Sequence, residues 1–270
     1  MSPRIAIIGA GFGGLCMAIR LERAGITSYT VFEKAGEVGG TWRDNSYPGA
    51  GCDIPSHLYS FSFEKYASWT RRYPGQPEIL GYLAHCAGKY GVRGKIRFHT
   101  EVSAAVFDGD HWHLTTRAGT SPPDGRGVRI EEFDVVVAGV GQLNRPLVPD
   151  IPGMADFEGV SFHSARWNHD HDLSGRRVAV IGTGSSAAQF IPPVAGRAGH
   201  LDVFQRTPNW VIPKPDAAFG PLTRLALHFV PGLQRAYREW IYRYAEGTLY
   251  PALARGWSEG LLMLELLGAR

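Results

Sequence analysis

The chain has 270 residues, 44% hydrophobic and 20% charged, a make-up that excludes extended disorder and suits one large or two ordinary globular domains. Its 28 basic and 25 acidic residues leave a net charge of only +3, too small to argue a nucleic-acid or membrane footprint over the whole surface, so any phosphate-binding charge must be local. Cys16, Cys52 and Cys86 are odd in number and far apart, so neither a disulfide framework nor a zinc site is indicated, and a reducing cytoplasm is the expected location.

Residues 4–8 are a short β-branched run ending at Gly9, where a strand–turn–helix needs a glycine and a secretory leader does not. Leu15, Ile19 and Leu21 then recur at helical spacing up to Gly25, and residues 29–33 read as a second strand. Pro77 opens another helix, with Leu80, Leu83, Ala87 and Tyr90 on one face and Gly91 at its end. Residues 101–108 and 111–116 alternate as a hairpin turning at Gly109-Asp110, and 120–127 is a surface turn. Residues 133–140 are predicted as one buried strand of parallel type.

Asn144-Arg145-Pro146, Pro149 and Pro152-Gly153 make an extended connector that marks a domain boundary. Residues 177–181 then start a second copy of the opening unit: strand, Gly182-Thr183-Gly184-Ser185-Ser186-Ala187, helix, and a strand through 202–205. From about residue 219 the chain favours helix, with Leu222, Leu225, His228 and Phe229 and later Leu261, Leu262, Leu264 and Leu267. No apolar run is long enough to span a bilayer. The expected fold is α/β, with two Rossmann-like dinucleotide-binding domains and a helical C-terminal segment.

Each glycine turn carries its own chemistry. Gly9 permits the tight turn, Gly11 lets backbone approach a pyrophosphate, and Gly14 allows close helix–strand packing. Glu33 stands about 20 residues on, where a carboxylate accepts hydrogen bonds from the ribose hydroxyls of an adenine nucleotide. In the second unit Gly182, Thr183, Gly184, Ser185 and Ser186 form the turn, and Arg206 stands where the first unit has its acid. That reversal favours a 2′-phosphate and hence NADPH over NADH. Thr207 either donates to the same phosphate or serves a turn before Pro208. His111-Trp112-His113 and His169-Asp170-His171 have no third ligand and read as a half-exposed hairpin and a solvated loop, so no metal is expected.

Three further stretches carry a family resemblance. Gly40-Thr41-Trp42 through Tyr47-Pro48-Gly49 to Asp53 fits G-x-W-x-x-x-x-Y-P-G-x-x-x-D, and Phe157, Gly159, His163 and Trp167 fit F-x-G-x-x-x-H-x-x-x-W. Both patterns resemble the signatures of flavin-dependent Baeyer-Villiger monooxygenases. The run from Cys52 to Phe63 is similar to the family segment that passes the flavin ring. Gly51, where relatives commonly carry arginine, and Asn168, after the tryptophan, depart from the family pattern.

The resemblance implies FAD and NADPH as cofactors and insertion of one oxygen atom of O2 into a ketone, through a peroxyflavin, to give an ester or lactone. Gly40, Thr41, Trp42, Asp53 and Tyr59 would serve the flavin end, with Asp53 orienting a catalytic arginine. Phe157, Gly159, His163 and Trp167 would couple the domains, a role close to plain linker packing. Residues 1–150 would be FAD-binding, 151–176 the connector, 177–218 the first half of the NADP-binding domain and 219–270 a helical insertion. The returning strands, the catalytic arginine and part of the substrate pocket are expected to be missing from the chain, which would then bind cofactor poorly unless a complementing chain supplied them. An N- or S-oxygenating flavin monooxygenase and a non-catalytic nucleotide-binding fragment are the alternatives. A disulfide reductase is disfavoured because no redox cysteine pair follows the first unit.

Overall fold

The computed structural model describes residues 2–119, 127–209 and 214–250. Residues 120–126 of the predicted turn and the leucines at 261, 262, 264 and 267 lie outside the described residues. The chain divides into two compact units, Met1–Ser46 with Ile79–Trp167 and Tyr47–Glu78 with Asn168–Arg270.

In the first unit the β-branched run becomes β1 (Ile5–Ile8), followed by α1 (Phe12–Arg23) and β2 (Tyr29–Phe32). A one-turn helix, α2 (Thr41–Asp44), follows, and then α3 (Gln76–Lys89), which begins in the second unit and runs into the first. β3 (Ile96–Arg97) completes one side of a parallel sheet whose order is β3-β2-β1 followed by a strand from Val135–Ala138, in which Ile5 is level with Tyr29 and Ile8 with Phe32. Ile5 and Ile7 from β1, Leu15 and Ile19 from α1, and Val31 and Phe32 from β2 are all buried. Each such burial stabilises by about 1.5–3 kcal/mol. In α3 Ile79, Tyr82, Leu83, Cys86 and Ala87 form the buried face.

The predicted hairpin is β4 (Thr100–Phe107) and β5 (Trp112–Ala118), joined by β6 (Val128–Phe133) into an antiparallel sheet. Asp108 ties the turn by accepting from the N–H groups of Asp110 and His111 at 2.9 and 2.8 Å. Leu114 and Phe133 pack with Phe32 and Ala6 in one buried cluster.

The run 133–140 is not one buried strand. Phe133 closes β6, Asp134 accepts a hydrogen bond from the Arg4 N–H, and β7 (Val135–Ala138) pairs in parallel with β1. The chain must change sheets at Asp134. Among the described residues β7 has β1 as its sheet neighbour and no other, and Val135 is exposed.

The second unit holds β8 (Arg177–Ile181), α4 (Ser185–Ala195) and β9 (His200–Phe204), with β8 and β9 parallel. Helices α5 (Pro221–Phe229) and α6 (Leu233–Tyr244) follow, and a π-helical turn spans Ala245–Leu249. Among the described residues no helix is long and apolar enough to cross a membrane.

Candidate functional site

The first turn is built by close approach. Gly9 has φ +98°, and a Cβ there would stand 2.6 Å from the Gly139 carbonyl oxygen. At Gly14 a Cβ would lie 1.8 Å from the Gly9 oxygen, so neither position admits a side chain. Gly11 differs: a Cβ would meet only Gly40, at 3.7 Å, an ordinary contact. The first helical bond runs from Leu15 N–H to Gly11 C=O, no acid occupies the first turn, and Gly11 makes no side-chain cap. A helix end of this kind favours an anion such as pyrophosphate.

Glu33 is brought to the same turn. Its carboxylate is only 4% exposed, and Oε2 accepts from Ala10 N–H at 2.8 Å while Oε1 accepts from Ala35 N–H at 3.0 Å. Arg43, from α2, reaches Oε1 at 3.1 Å and donates to the Glu37 carbonyl at 2.8 Å. The same guanidinium grips Asp44 through Nε at 2.8 Å and Nη2 at 3.1 Å. Burial alone would lower the Arg43 pKa, but Asp44 and Glu33 outweigh it and hold the group charged. Arg43 and Asp44 sit inside the Gly40–Asp53 signature, and their buried ion network stations the Thr41–Trp42 turn beside the first glycine turn. A carboxylate has about four accepting positions, so Glu33 keeps capacity for one more donor, as a ribose hydroxyl would be.

Tyr47 to Asp53, the rest of that signature, belongs to the second unit, where two side chains from far along the sequence hold it and a third holds the turn that follows. Gln189, on α4, accepts at Oε1 from Tyr47 O–H and Gly51 N–H, both at 3.1 Å, and its Nε2 donates to Gly51 C=O at 3.0 Å. Lys214 donates to the Cys52 carbonyl at 3.4 Å and stands 3.5 Å from Asp53 Oδ1. The Asp53 side chain is 63% exposed. Arg238, on α6, donates from Nη1 to the carbonyls of His57, Leu58 and Ser60 at 2.6, 3.2 and 3.3 Å, fixing the turn that contains Tyr59.

His57 is buried between Phe219 and Tyr237, with ring centroids at 5.6 and 5.1 Å. Its Nδ1 lies 3.3 Å from Ser56 Oγ, and its Nε2 has no hydrogen-bond partner among the described residues. Burial, followed by repulsion from Arg238, pushes its pKa down to about 4, so the ring is neutral at pH 7. Cys52 is also buried, which pushes its thiol up to about 11 and makes it a poor nucleophile.

The second turn has Gly182 at φ +100° and Gly184 as the N-cap of α4, and a Cβ on either would meet nothing within 4 Å. Ser185 and Ser186 open the helix. Thr183 Oγ1 accepts from Gln205 Nε2 at 3.0 Å, and Asn209 Nδ2 donates to the Thr183 carbonyl. Arg206 and Thr207, just beyond β9, are exposed.

In the connector the Phe157 ring lies over Gly159, where a Cβ would stand 2.4 Å from Phe157 Cζ. His163 Nδ1 accepts from Ala165 N–H at 3.0 Å, and Trp167 packs edge-on against Phe162 at 5.2 Å. These contacts explain the residue types of the motif by local packing.

Arg43, Gln189, Lys214 and Arg238 are the functional candidates that motif spacing does not single out. Arg43 falls on an unspecified position of the signature. The other three meet their partners across more than a hundred residues and carry no local pattern.

The model of the flavin-binding monooxygenase-like family matches residues 2–225. A Baeyer-Villiger monooxygenase of Streptomyces coelicolor is 51% identical over 227 residues, covering 83% of this chain and 42% of its own length. Another, from Pseudomonas aeruginosa, is 44% identical over 248 residues, covering 91% and 45%. The crystal structure of cyclohexanone monooxygenase from Rhodococcus sp. Phi1 bound to NADP+ superposes with a TM-score of 0.75 at 35% identity, covering 88% of this chain and 43% of that one. The chain thus spans under half the length of the curated relatives it matches. With the family model covering most of its residues and both glycine turns in place, the chain belongs to the flavin-binding monooxygenase-like family.

Proposed function

We propose that the protein carrying this chain is an FAD- and NADPH-dependent monooxygenase that inserts one oxygen atom of O2 into a small organic ketone to give an ester or lactone. The observation that carries this reading is the opposite charge at the two glycine turns. Glu33 is buried and bonded into the first turn, and Arg206 stands exposed beyond the second. Relatives named Baeyer-Villiger monooxygenase and neighbours solved with NADP+, cyclohexanone and ε-caprolactone support it.

Gly9, Gly11, Gly14 and Glu33 hold the adenosine half of FAD in this reading, and Gly40, Thr41, Trp42, Asp53 and Tyr59 serve its flavin half. Gly182, Thr183, Gly184, Ser185, Ser186, Arg206 and Thr207 bind NADPH. The cofactors supply hydride transfer and oxygen activation, and the chain orients them and excludes water. Asp53 is a positioning residue, with Lys214 as its cationic neighbour. Phe157, Gly159, His163 and Trp167 stiffen the connector. The domain limits follow: FAD binding in 1–150, the connector in 151–176, NADP binding in 177–218 and a helical insertion from 219. The three free thiols suit the cytoplasm.

The test is NADPH oxidation by the purified, FAD-supplemented protein, followed with and without a cyclic ketone, with the organic product identified. Ketone-stimulated oxidation with lactone formation is expected. A colourless protein inert to NADPH overturns the reading, and turnover confined to sulfides or amines replaces ketone insertion by heteroatom oxidation.

A further inference from the structure

We propose that Gln189 is a positioning residue that ties occupancy of the NADP(H) site at the head of α4 to the conformation of the 47–53 loop, and so to the placing of Asp53. The inference rests on the reading above, in which Ser185 and Ser186 meet the nucleotide and Asp53 serves the flavin end.

Gln189 lies four residues after Ser185, so the two share a face of one helix. Its amide pairs with Gly51 as a neighbouring peptide would in a sheet, giving a donor at 3.0 Å and accepting at 3.1 Å. Tyr47 O–H shares the same Oε1 at 3.1 Å, and with two donors on that oxygen the amide has a single satisfied orientation. Packing repeats the tie. The Tyr47 ring meets Phe190 edge-on at 5.9 Å, and Gly49, at φ +82°, presses so close that a Cβ would stand 2.6 Å from the Gln189 carbonyl oxygen.

The next turn of α4 contains Pro192 and Pro193, so Pro193 offers no N–H to that carbonyl. The loop's other anchors are Lys214, at Cys52 and Asp53, and the 74–76 segment, through Cys52 N–H to Pro74 C=O and Gln76 N–H to Ala50 C=O, both at 2.9 Å. Among the described residues Gln189 is therefore the side chain that hydrogen-bonds this loop to the helix read above as nucleotide-binding. A ligand that steadies the first turn of α4 steadies the loop through it, and the coupling is reciprocal.

The experiment compares wild type, Gln189→Met and Tyr47→Phe as FAD-supplemented protein. Met keeps the volume and removes the amide, and Phe keeps the ring and removes one hydrogen bond. Amide exchange across 47–53 is measured with and without NADP+, and NADP+ affinity by calorimetry. Wild type is expected to slow exchange at Gly51 when NADP+ binds. In Gln189→Met the Gly51 amide should exchange about tenfold faster without nucleotide, as loss of three hydrogen bonds, two of them to Gly51, implies. NADP+ should no longer slow it, and NADP+ should bind a few-fold more weakly. Tyr47→Phe should show a smaller loss of the same response, and it decides the matter if the methionine variant does not fold.

An NADP+ response of wild-type size in either variant overturns the proposal. NADP+ binding to wild type without slower loop exchange overturns the coupling alone. A wild type that takes up no NADP+ overturns the nucleotide reading along with it.

Discussion

At Gly14, in the first turn, an added Cβ would stand 1.8 Å from the Gly9 oxygen, yet at the equivalent place in the second turn the chain carries Ala187 and buries its methyl. Gly9 and Gly182 have nearly the same φ, +98° and +100°, but a Cβ at Gly9 would strike Gly139 whereas one at Gly182 would meet nothing within 4 Å. The difference lies in the sheets. β1 has strands on both sides, and β7 brings Gly139 against the turn; β8 has only β9 among the described residues, and Ile181 and Phe204 are exposed. One glycine pattern is thus required by packing in the first turn, at Gly9 and Gly14 alike. In the second, among the described residues, only the positive φ of Gly182 requires a glycine.

That contrast predicts different outcomes for one kind of substitution. Gly14→Ala should destabilise the protein by more than about 3 kcal/mol, beyond ordinary overpacking, because the obstruction is backbone on the next turn. Gly184→Ala, with φ −65° and open space, should stay within about 0.5 kcal/mol of wild type and weaken NADP+ instead. Urea unfolding and NADP+ titration of the two variants check this. Similar stability losses in both would remove the distinction between the units.

The second contrast is charge. Glu33 and Arg43 form a buried pair, with side chains 5% and 10% exposed. Glu33→Gln should cost about 3 kcal/mol, the scale for leaving one partner of a buried pair uncompensated, with Asp44 retaining part of the guanidinium's satisfaction. The urea midpoint checks this, and an unchanged midpoint would mean that Glu33 is present for ligand alone.

Among the described residues the second unit has no equivalent ion pair at its turn, and it buries a neutral imidazole. The unfolded chain binds a proton on His57 near pH 6.5 and the folded chain near 4. The associated stability is complete above about pH 6.5, falls as pH drops, and is lost through pH 4, by about 3 kcal/mol in all and about 2 by pH 5. Unfolding at pH 7 and pH 5, compared with His57→Asn, isolates this part of the slope. A variant as acid-sensitive as wild type would assign the slope to other groups.

Local pattern made much of this legible. β1, α1 and β2 follow from β-branched runs, helical spacing and glycines that report on their own neighbourhood, and β8 begins and ends where residues 177–181 imply. The break at Asp134 was hidden because Phe133 to Val140 is nearly continuous in hydrophobicity, and the change of sheet depends on Arg4, far away in sequence. The holders of the 47–60 segment were hidden for the same reason. Gln189 reads as one more polar residue of an amphipathic helix, and Arg238 as a surface arginine of α6. Only the fold shows the carbonyls that they meet.

The smallest expected effect tests the charge reversal itself. Arg206 is exposed beyond β9, so Arg206→Ala should leave stability within about 0.5 kcal/mol of wild type. Its consequence should be confined to the cofactor: a guanidinium on a 2′-phosphate loses a charge-assisted contact that NADH does not offer. kcat/KM for NADPH should fall about tenfold while that for NADH stays nearly level, the mark of an interaction made with one cofactor only. Equal losses would instead make Arg206 a support for the strand end, and the selectivity would then have to come from another cation near the second turn.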